Sequence, residues 1–223
     1  MPKIHSYSVL LVLAMLSATA CSDGNMSSNT YYESAWCVVQ GRGSQISLVT
    51  DQKDILKPSE SLDSTQYKAG DRYRVIYITL GNQGYYPTSS GAKLVKITGE
   101  PQPVLVEEVI LHGSFTGSVN DTVWLNAKPF FGGGFLNFDF QFRNSHTGIK
   151  HGIHLLQDSL VNRKLYLKFG HHANSDVTGS FESALASFPT SGLQNASDAD
   201  SLIILLQGDT HLQNYRLALR DTL

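Results

Sequence analysis

The chain has 223 residues, 41% of them hydrophobic and 16% charged, with a formal net charge of −2. This is a globular composition, and the length allows one or two domains. No lysine or arginine run supplies the basic face that a nucleic-acid binder needs, so nucleic acid is not an expected partner.

Residues 1–20 form a separate unit. Lys3 gives a positive start, and residues 7–20 (YSVLLVLAMLSATA) form an apolar run. That run is shorter than the roughly 20 residues a spanning helix needs, and it has the length of a signal-peptide core. It ends in Ala18-Thr19-Ala20-Cys21, small residues directly before a cysteine. This looks like a bacterial lipobox, in which Cys21 is the site of lipid attachment. Ser22, rather than an aspartate, follows the cysteine, which favours the outer membrane. The competing expectation is ordinary cleavage after Ala20, with Cys21 a bystander. Residues 21–33 read as a flexible tether. If Cys21 is acylated, Cys37 has no partner for a disulfide. Cys37 sits in the apolar run Ala35-Trp36-Cys37-Val38-Val39, where a buried, inert thiol is expected.

From residue 34 onward the apolar period is two, the period of a β-strand. Strands are expected around Trp36 and Val38, over 45–50, and at Ile55-Leu56, with a turn at 51–54. Residues 72–80 (RYRVIYITL) are rich in β-branched and aromatic types. A further strand is expected over 92–98, and Gly99-Glu100-Pro101-Gln102-Pro103 is the strongest break in the chain. A domain boundary is placed there, giving domains at 34–103 and 104–223, with 104–111 as a bridging strand. Leu136, Phe138, Phe140 and Phe142 alternate with Asn137, Asp139 and Gln141, one apolar and one wet face. Ile149, Ile153 and Leu155 form the next apolar face, then Leu165, Leu167 and Phe169, and finally Tyr215, Leu217 and Leu219. Residues 202–206 (LIILL) predict burial on both faces. Only 181–188 (FESALASF) has helical spacing. The class is all-β, with antiparallel sandwich or barrel architecture.

The ordered set formed by the lipobox, SLVTDQKDIL, AGDRYRVIYITLGNQ, FLNFDFQF, KHGIHLLQD and LYLKFGHHANSD resembles the NigD-like family of bacterial lipoproteins. The resemblance implies an N-terminal OB-like five-stranded barrel followed by a C-terminal β-sandwich. It also implies a bacteriocin-immunity role, through the operon of the founding member. Lys53 stands where the family turn carries glycine.

The chemical candidates are few. His171 shares the face of Leu165, Leu167 and Phe169, while His172 points away. His151 shares the face of Ile153 and Leu155, while His154 points away. A hairpin centred near Val161 would set His151 directly opposite His171, with Asp176 as a third group nearby. This arrangement predicts either two histidines satisfied by protein oxygens or a metal pair serving a hydrolase, and the first is preferred. No metal and no cofactor is expected. Glu107 and Glu108 read as solvated edge charges. Gly132-Gly133-Gly134 reads as a flexible connection or β-bulge, with an anion cradle as the alternative. Tyr31, Tyr32, Tyr85 and Tyr86 are candidates for a binding surface. There is no G-x-S-x-G, P-loop or H-E-x-x-H motif. The expectation is therefore a non-enzymatic, membrane-tethered binding module with a protein or glycan ligand, on either the periplasmic or the cell-surface face.

Overall fold

The structure is a computed structural model, and it describes residues 31–80, 91–145, 148–209 and 211–219. The signal segment, Cys21, most of the tether, and Tyr85 and Tyr86 lie outside the described residues. Tyr31 and Tyr32 are exposed, and the first strand already begins at Glu33.

Six strands make the first half: β1 (Glu33–Gln40), β2 (Ser47–Thr50), β3 (Ile55–Pro58), β4 (Arg72–Thr79), β5 (Lys93–Ile97) and β6 (Gln102–Pro103). Their order is β1-β2-β3-β5-β4, with β6 added beside β4. β1 is long enough to bond β2 through Cys37–Gln40 and β4 through Glu33–Val38, and this closes a five-stranded barrel. The β3–β5 pair is parallel. Alternation points Cys37, Leu48, Leu56, Val75 and Val95 inward, each at most 1% exposed. Burial pushes the Cys37 thiol up to about 12, so the thiolate needed for reactivity is not formed near neutral pH. The turn after β2 holds Lys53 at φ +69°, a left-handed conformation that glycine adopts without a steric cost.

Ten strands make the second half: β7 (Leu105–Val106), β8 (Val109–Leu111), β9 (Trp124–Leu125), β10 (Phe130–Gly132), β11 (Phe135–Asn144), β12 (Gly152–Val161), β13 (Lys164–His172), β14 (Ser180–Pro189), β15 (Ser201–Gln207) and β16 (Leu212–Ala218). One sheet runs β10-β11-β14-β7, with β9 also on β11, and the other runs β16-β15-β13-β12-β8. Phenylalanines fill the space between them. Phe138 stacks on Phe169 at 4.1 Å, and Phe188 meets Phe138 edge-on at 5.7 Å. Each such fully buried ring contributes about 1.5–3 kcal/mol.

Several expectations change here. Residues 181–188 are not helical, because β14 pairs with β11 along ten residues; tertiary pairing overrides the local spacing. The sandwich is mixed rather than purely antiparallel, since β14–β7, β12–β8 and β13–β15 run parallel. Residues 104–111 are not one strand; β7 and β8 join different sheets, and Glu107 and Glu108 lie exposed between them. In β15, Leu202, Ile204 and Leu206 are fully buried, while Ile203 and Leu205 are only half-buried. Ile149 is exposed, outside β12.

The wet face expected on β11 is covered by the barrel. Asn137 is fully buried, and its amide oxygen accepts from Arg72 Nη2 at 3.1 Å and from the Ser187 hydroxyl at 2.6 Å. Arg72, 2% exposed, also gives Nε–H to Ser187 Oγ (2.9 Å) and Nη2 to both Asp51 oxygens (2.7 Å each). Its guanidinium lies over Phe135 at 4.4 Å. Beside it, Arg74 pairs with Asp139. The glycine run explains itself at this interface. Gly133 and Gly134, at φ +60° and +84°, make the tight β10–β11 turn. Side chains on Gly132 and Gly133 would place a Cβ 2.4 and 2.3 Å from the Asp51 carboxylate. The anion received by this turn is the protein's own Asp51, and the turn is neither a bulge nor a flexible connection.

Candidate functional site

The site begins with strand parity. Along β13, Leu165, Leu167, Phe169 and His171 are buried in alternation, so His171 continues the core face to the strand's last turn. The hairpin to β12 closes at Asn162 and Arg163, both with positive φ, a two-residue turn. That turn pairs Val161 with Lys164 and Leu160 with Leu165. A bulge then inserts one residue on β12, so Gln157 faces Leu167 and Ile153 faces His171. The register is therefore two residues away from the one expected from a hairpin centred near Val161. His151 and His171 are not directly opposed, because the displaced turn shifts the pairing by three residues and the bulge takes back only one. The bulge restores the even offset and with it the face, so His151 still arrives on the side of His171.

The two rings meet nearly parallel, with centroids 5.1 Å apart. His151 Nδ1 lies 2.8 Å from His171 Nε2, and His151 Nε2 lies 3.4 Å from Asp176 Oδ2. Phe142 covers both rings, with each centroid at 4.9 Å. His171 Nδ1 is 3.3 Å from the Thr122 carbonyl oxygen, which can only accept. His171 must therefore donate from Nδ1, and when neutral it accepts at Nε2. His151 must then donate from Nδ1. The Asp176 carboxylate also only accepts, so it takes the proton on His151 Nε2. Every contact is made when His171 is neutral and His151 is an imidazolium paired with Asp176.

The surroundings support this division. Burial lowers the His171 pKa below its ordinary value, and the charge of His151 acts in the same direction against the Thr122 carbonyl. Hydrogen bonds from Ser145, then His151, hold the Asp176 carboxyl below the usual carboxylate range. The turn at Asn174 and Ser175, both at positive φ, swings Asp176 back toward the rings, and the Ser145 N–H donates to its carboxylate at 3.1–3.2 Å. Asp121 ties the strand end to the neighbouring segment. Its N–H donates to the His171 carbonyl (3.1 Å), and its carboxylate accepts from Ala173 N–H (2.7 Å). Gly170 lets that segment cross, since a Cβ there would lie 2.2 Å from Val119 Cβ.

His171 and Asp176 of the cluster line the floor of a pocket of about 190 Å³, with Asp121, Trp124, Arg143 and Asp209 in its walls. Trp124 meets Phe181 edge-on at 4.9 Å, and the Arg143 guanidinium lies over Phe181 at 4.8 Å. His172 and His154 stay off the cluster: His172 Nδ1 is 3.8 Å from Asp121, and His154 packs on Phe115. Among the described residues no group of three or more His, Cys, Asp or Glu has the arrangement of a metal site. The sequence left Asp121, Trp124 and Arg143 unmarked. Only their distance in the chain from LYLKFGHHANSD hid them: Asp121 bridges to His171 of β13, Trp124 lies on β9 against β11, and Arg143 is on β11 itself.

The fold defines an all-β protein in which a closed five-stranded barrel precedes a two-sheet sandwich. Residues 113–216 match the NigD-like C-terminal beta sandwich domain. The resemblance drawn from the ordered segments therefore holds. No curated protein matches the sequence. Solved structures share the fold at low identity. A protein of unknown function, DUF1344, from Bacteroides vulgatus aligns with TM-score 0.68 and 17% identity, over 84% of this chain and 90% of that one. A candidate lipoprotein from Bacteroides fragilis aligns with TM-score 0.64 and 11% identity, over 85% and 98%. A NigD-like immunity protein from Bacteroides caccae aligns with TM-score 0.57 and 17% identity, over 86% and 98%.

Proposed function

We propose that the protein is a non-catalytic binding module of the bacterial cell envelope, held at the outer membrane by lipid on Cys21. One observation carries the non-catalytic part: both nitrogens of His151 and of His171 face protein partners. A metal-assisted hydrolase would need at least one imidazole lone pair directed at a metal or a water, and here those directions are taken by the Thr122 carbonyl, the other ring and Asp176. The envelope address is supported by the segment ending in Cys21 and by the description of the Bacteroides fragilis structure as a candidate lipoprotein. The name of the Bacteroides caccae structure favours an immunity role within this reading, with a secreted toxin as the protein ligand.

Full-length protein purified in detergent and exposed to zinc, then dialysed, is expected to retain no stoichiometric metal by elemental analysis. A tightly held equivalent that His171→Gln removes would overturn the non-catalytic reading. Cys21→Ala is expected to move the protein from the membrane to the soluble fraction, and persistence in the membrane would sink the anchor.

A further inference from the structure

We propose that the pocket above His171 and Asp176 binds one neutral sugar ring of a glycan, with Trp124 as the apolar wall and Asp121, Asp209 and Arg143 as the hydroxyl-recognising groups. This rests on the non-catalytic reading and adds to its protein ligand a second ligand of another class.

The charge balance selects the ligand. Asp176 on the floor is already engaged by the protein, through the Ser145 N–H and His151 Nε2. The walls then carry two carboxylates, Asp121 and Asp209, against one guanidinium, Arg143. A net of about one negative charge gives neither a cation nor an anion a strong electrostatic advantage in a solvent-open site. What remains is a mixture of acceptors, donors and an aromatic wall. A pyranose ring matches that mixture, because its hydroxyls both donate and accept while its C–H face is apolar. Hydrogen bonds to ionised partners are the stronger kind, and carboxylates and guanidinium are the polar groups present here.

The groups are held in place. Trp124 is fixed by β9 pairing with β11, where it stands opposite Gln141, and by its edge contact with Phe181. Arg143 donates from Nη1 to the Gly179 carbonyl at 3.1 Å and rests on Phe181, which anchors the guanidinium while leaving further N–H groups to donate. One Asp121 oxygen accepts from Ala173 N–H, and the other makes no hydrogen bond among the described residues. Asp209 is exposed. A volume of about 190 Å³ lies below the range typical of drug-sized ligands, so the pocket seats a single ring and a longer glycan would continue over exposed Val177 and Phe181.

The test uses full-length protein in detergent with methyl glycosides of glucose, galactose, mannose and N-acetylglucosamine, and with cellobiose, maltose and chitobiose. Saturation-transfer NMR surveys the panel, and tryptophan fluorescence in a Trp36→Phe background measures affinity. At least one sugar is expected to bind with a millimolar Kd. Asp209→Ala and Asp121→Asn, and also Trp124→Ala where it folds, should each weaken it by about tenfold or more, while Trp124→Phe retains part of the affinity. The proposal is overturned by the absence of saturable binding across the panel. It is equally overturned by binding that these variants leave unchanged, or by lysine or arginine methyl esters outcompeting every sugar. Reducing-end release is followed in the same samples. Cleavage of a bound disaccharide would sink the non-catalytic reading while leaving the sugar pocket standing.

Discussion

Two buried polar clusters hold this molecule together, and they are built on opposite economies of charge. Between barrel and sandwich, Arg72 and Asp51 are both nearly inaccessible, with side-chain exposures of 1% and 4%. The guanidinium is bound by Asp51, Asn137 and Ser187, yet Nη1 has no hydrogen-bond partner among the described residues. At the far end of the sandwich, His151, His171 and Asp176 form a linear chain whose donors and acceptors match one for one. The first cluster joins elements of the two halves through a strong ion pair with one loose end. The second joins elements within the sandwich through weaker bonds with none. The difference teaches that a buried charge and a buried relay fail in different ways, and the expected outcomes separate them.

The largest effect is expected at the first cluster. Asp51→Ala leaves the Arg72 charge buried and unpaired, which costs about 3–5 kcal/mol, read by urea denaturation. Adding Arg72→Met should regain most of that loss; a double variant as unstable as the single one would show that packing, and not charge, dominates the interface. Gly133→Ala comes next, at about 2 kcal/mol, because its Cβ would lie 2.3 Å from an Asp51 oxygen and the residue sits at φ +60°.

The histidine relay should fail more gently and with pH. His171→Gln is expected to lose about 1–2 kcal/mol at neutral pH, by stranding the His151 donor. Burial keeps the folded His171 ring neutral, so its pKa is below the unfolded value. The unfolded chain then takes up a proton that the folded chain refuses, and this contribution to stability is present above about pH 6.5 and is lost as pH falls below it. Asp176 acts in a lower window, since its depressed folded pKa contributes stability above the unfolded carboxylate value and loses it as pH falls through the folded one. Wild-type protein should weaken between pH 7 and pH 5 more than His171→Gln does; parallel curves would contradict a neutral, buried ring. Long-range ¹H–¹⁵N NMR should report His171 as the Nδ1–H tautomer. The smallest effect is Lys53→Gly, expected to gain about 0.5 kcal/mol as relief of the left-handed strain exceeds the entropy cost of glycine.

How far the chain could be read from its residues differs between these clusters for a physical reason. Alternation by two placed His151 and His171 on one face, because that rule is local to each strand. The displaced turn and the bulge were not legible, since Asp158 and Ser159 carry no signature that distinguishes a bulged pair from regular strand. The helical spacing of FESALASF belongs to a strand, because pairing with β11 over ten residues outweighs the local pattern, and that partner lies far away in sequence. The Asp51–Arg72 pair was the least visible. Asp51 reads as a turn residue and Arg72 as a strand end, and only docking of the barrel on Asn137 and Ser187 makes them one feature.

The extra residue in β12 carries an evolutionary consequence. Removing Ser159 or its neighbour would look like a harmless edit near a hairpin tip, well away from any histidine. It would in fact be one: with Ser159 gone Leu160 still faces Leu165, Asp158 takes the place opposite Tyr166, and Gln157 still faces Leu167, so Ile153 stays opposite His171. Relatives one residue shorter there would keep the same ring beside His171, whereas a chain of unchanged length whose strand ran straight from the Asn162-Arg163 turn would bring His154 opposite His171 and turn His151 to the other face.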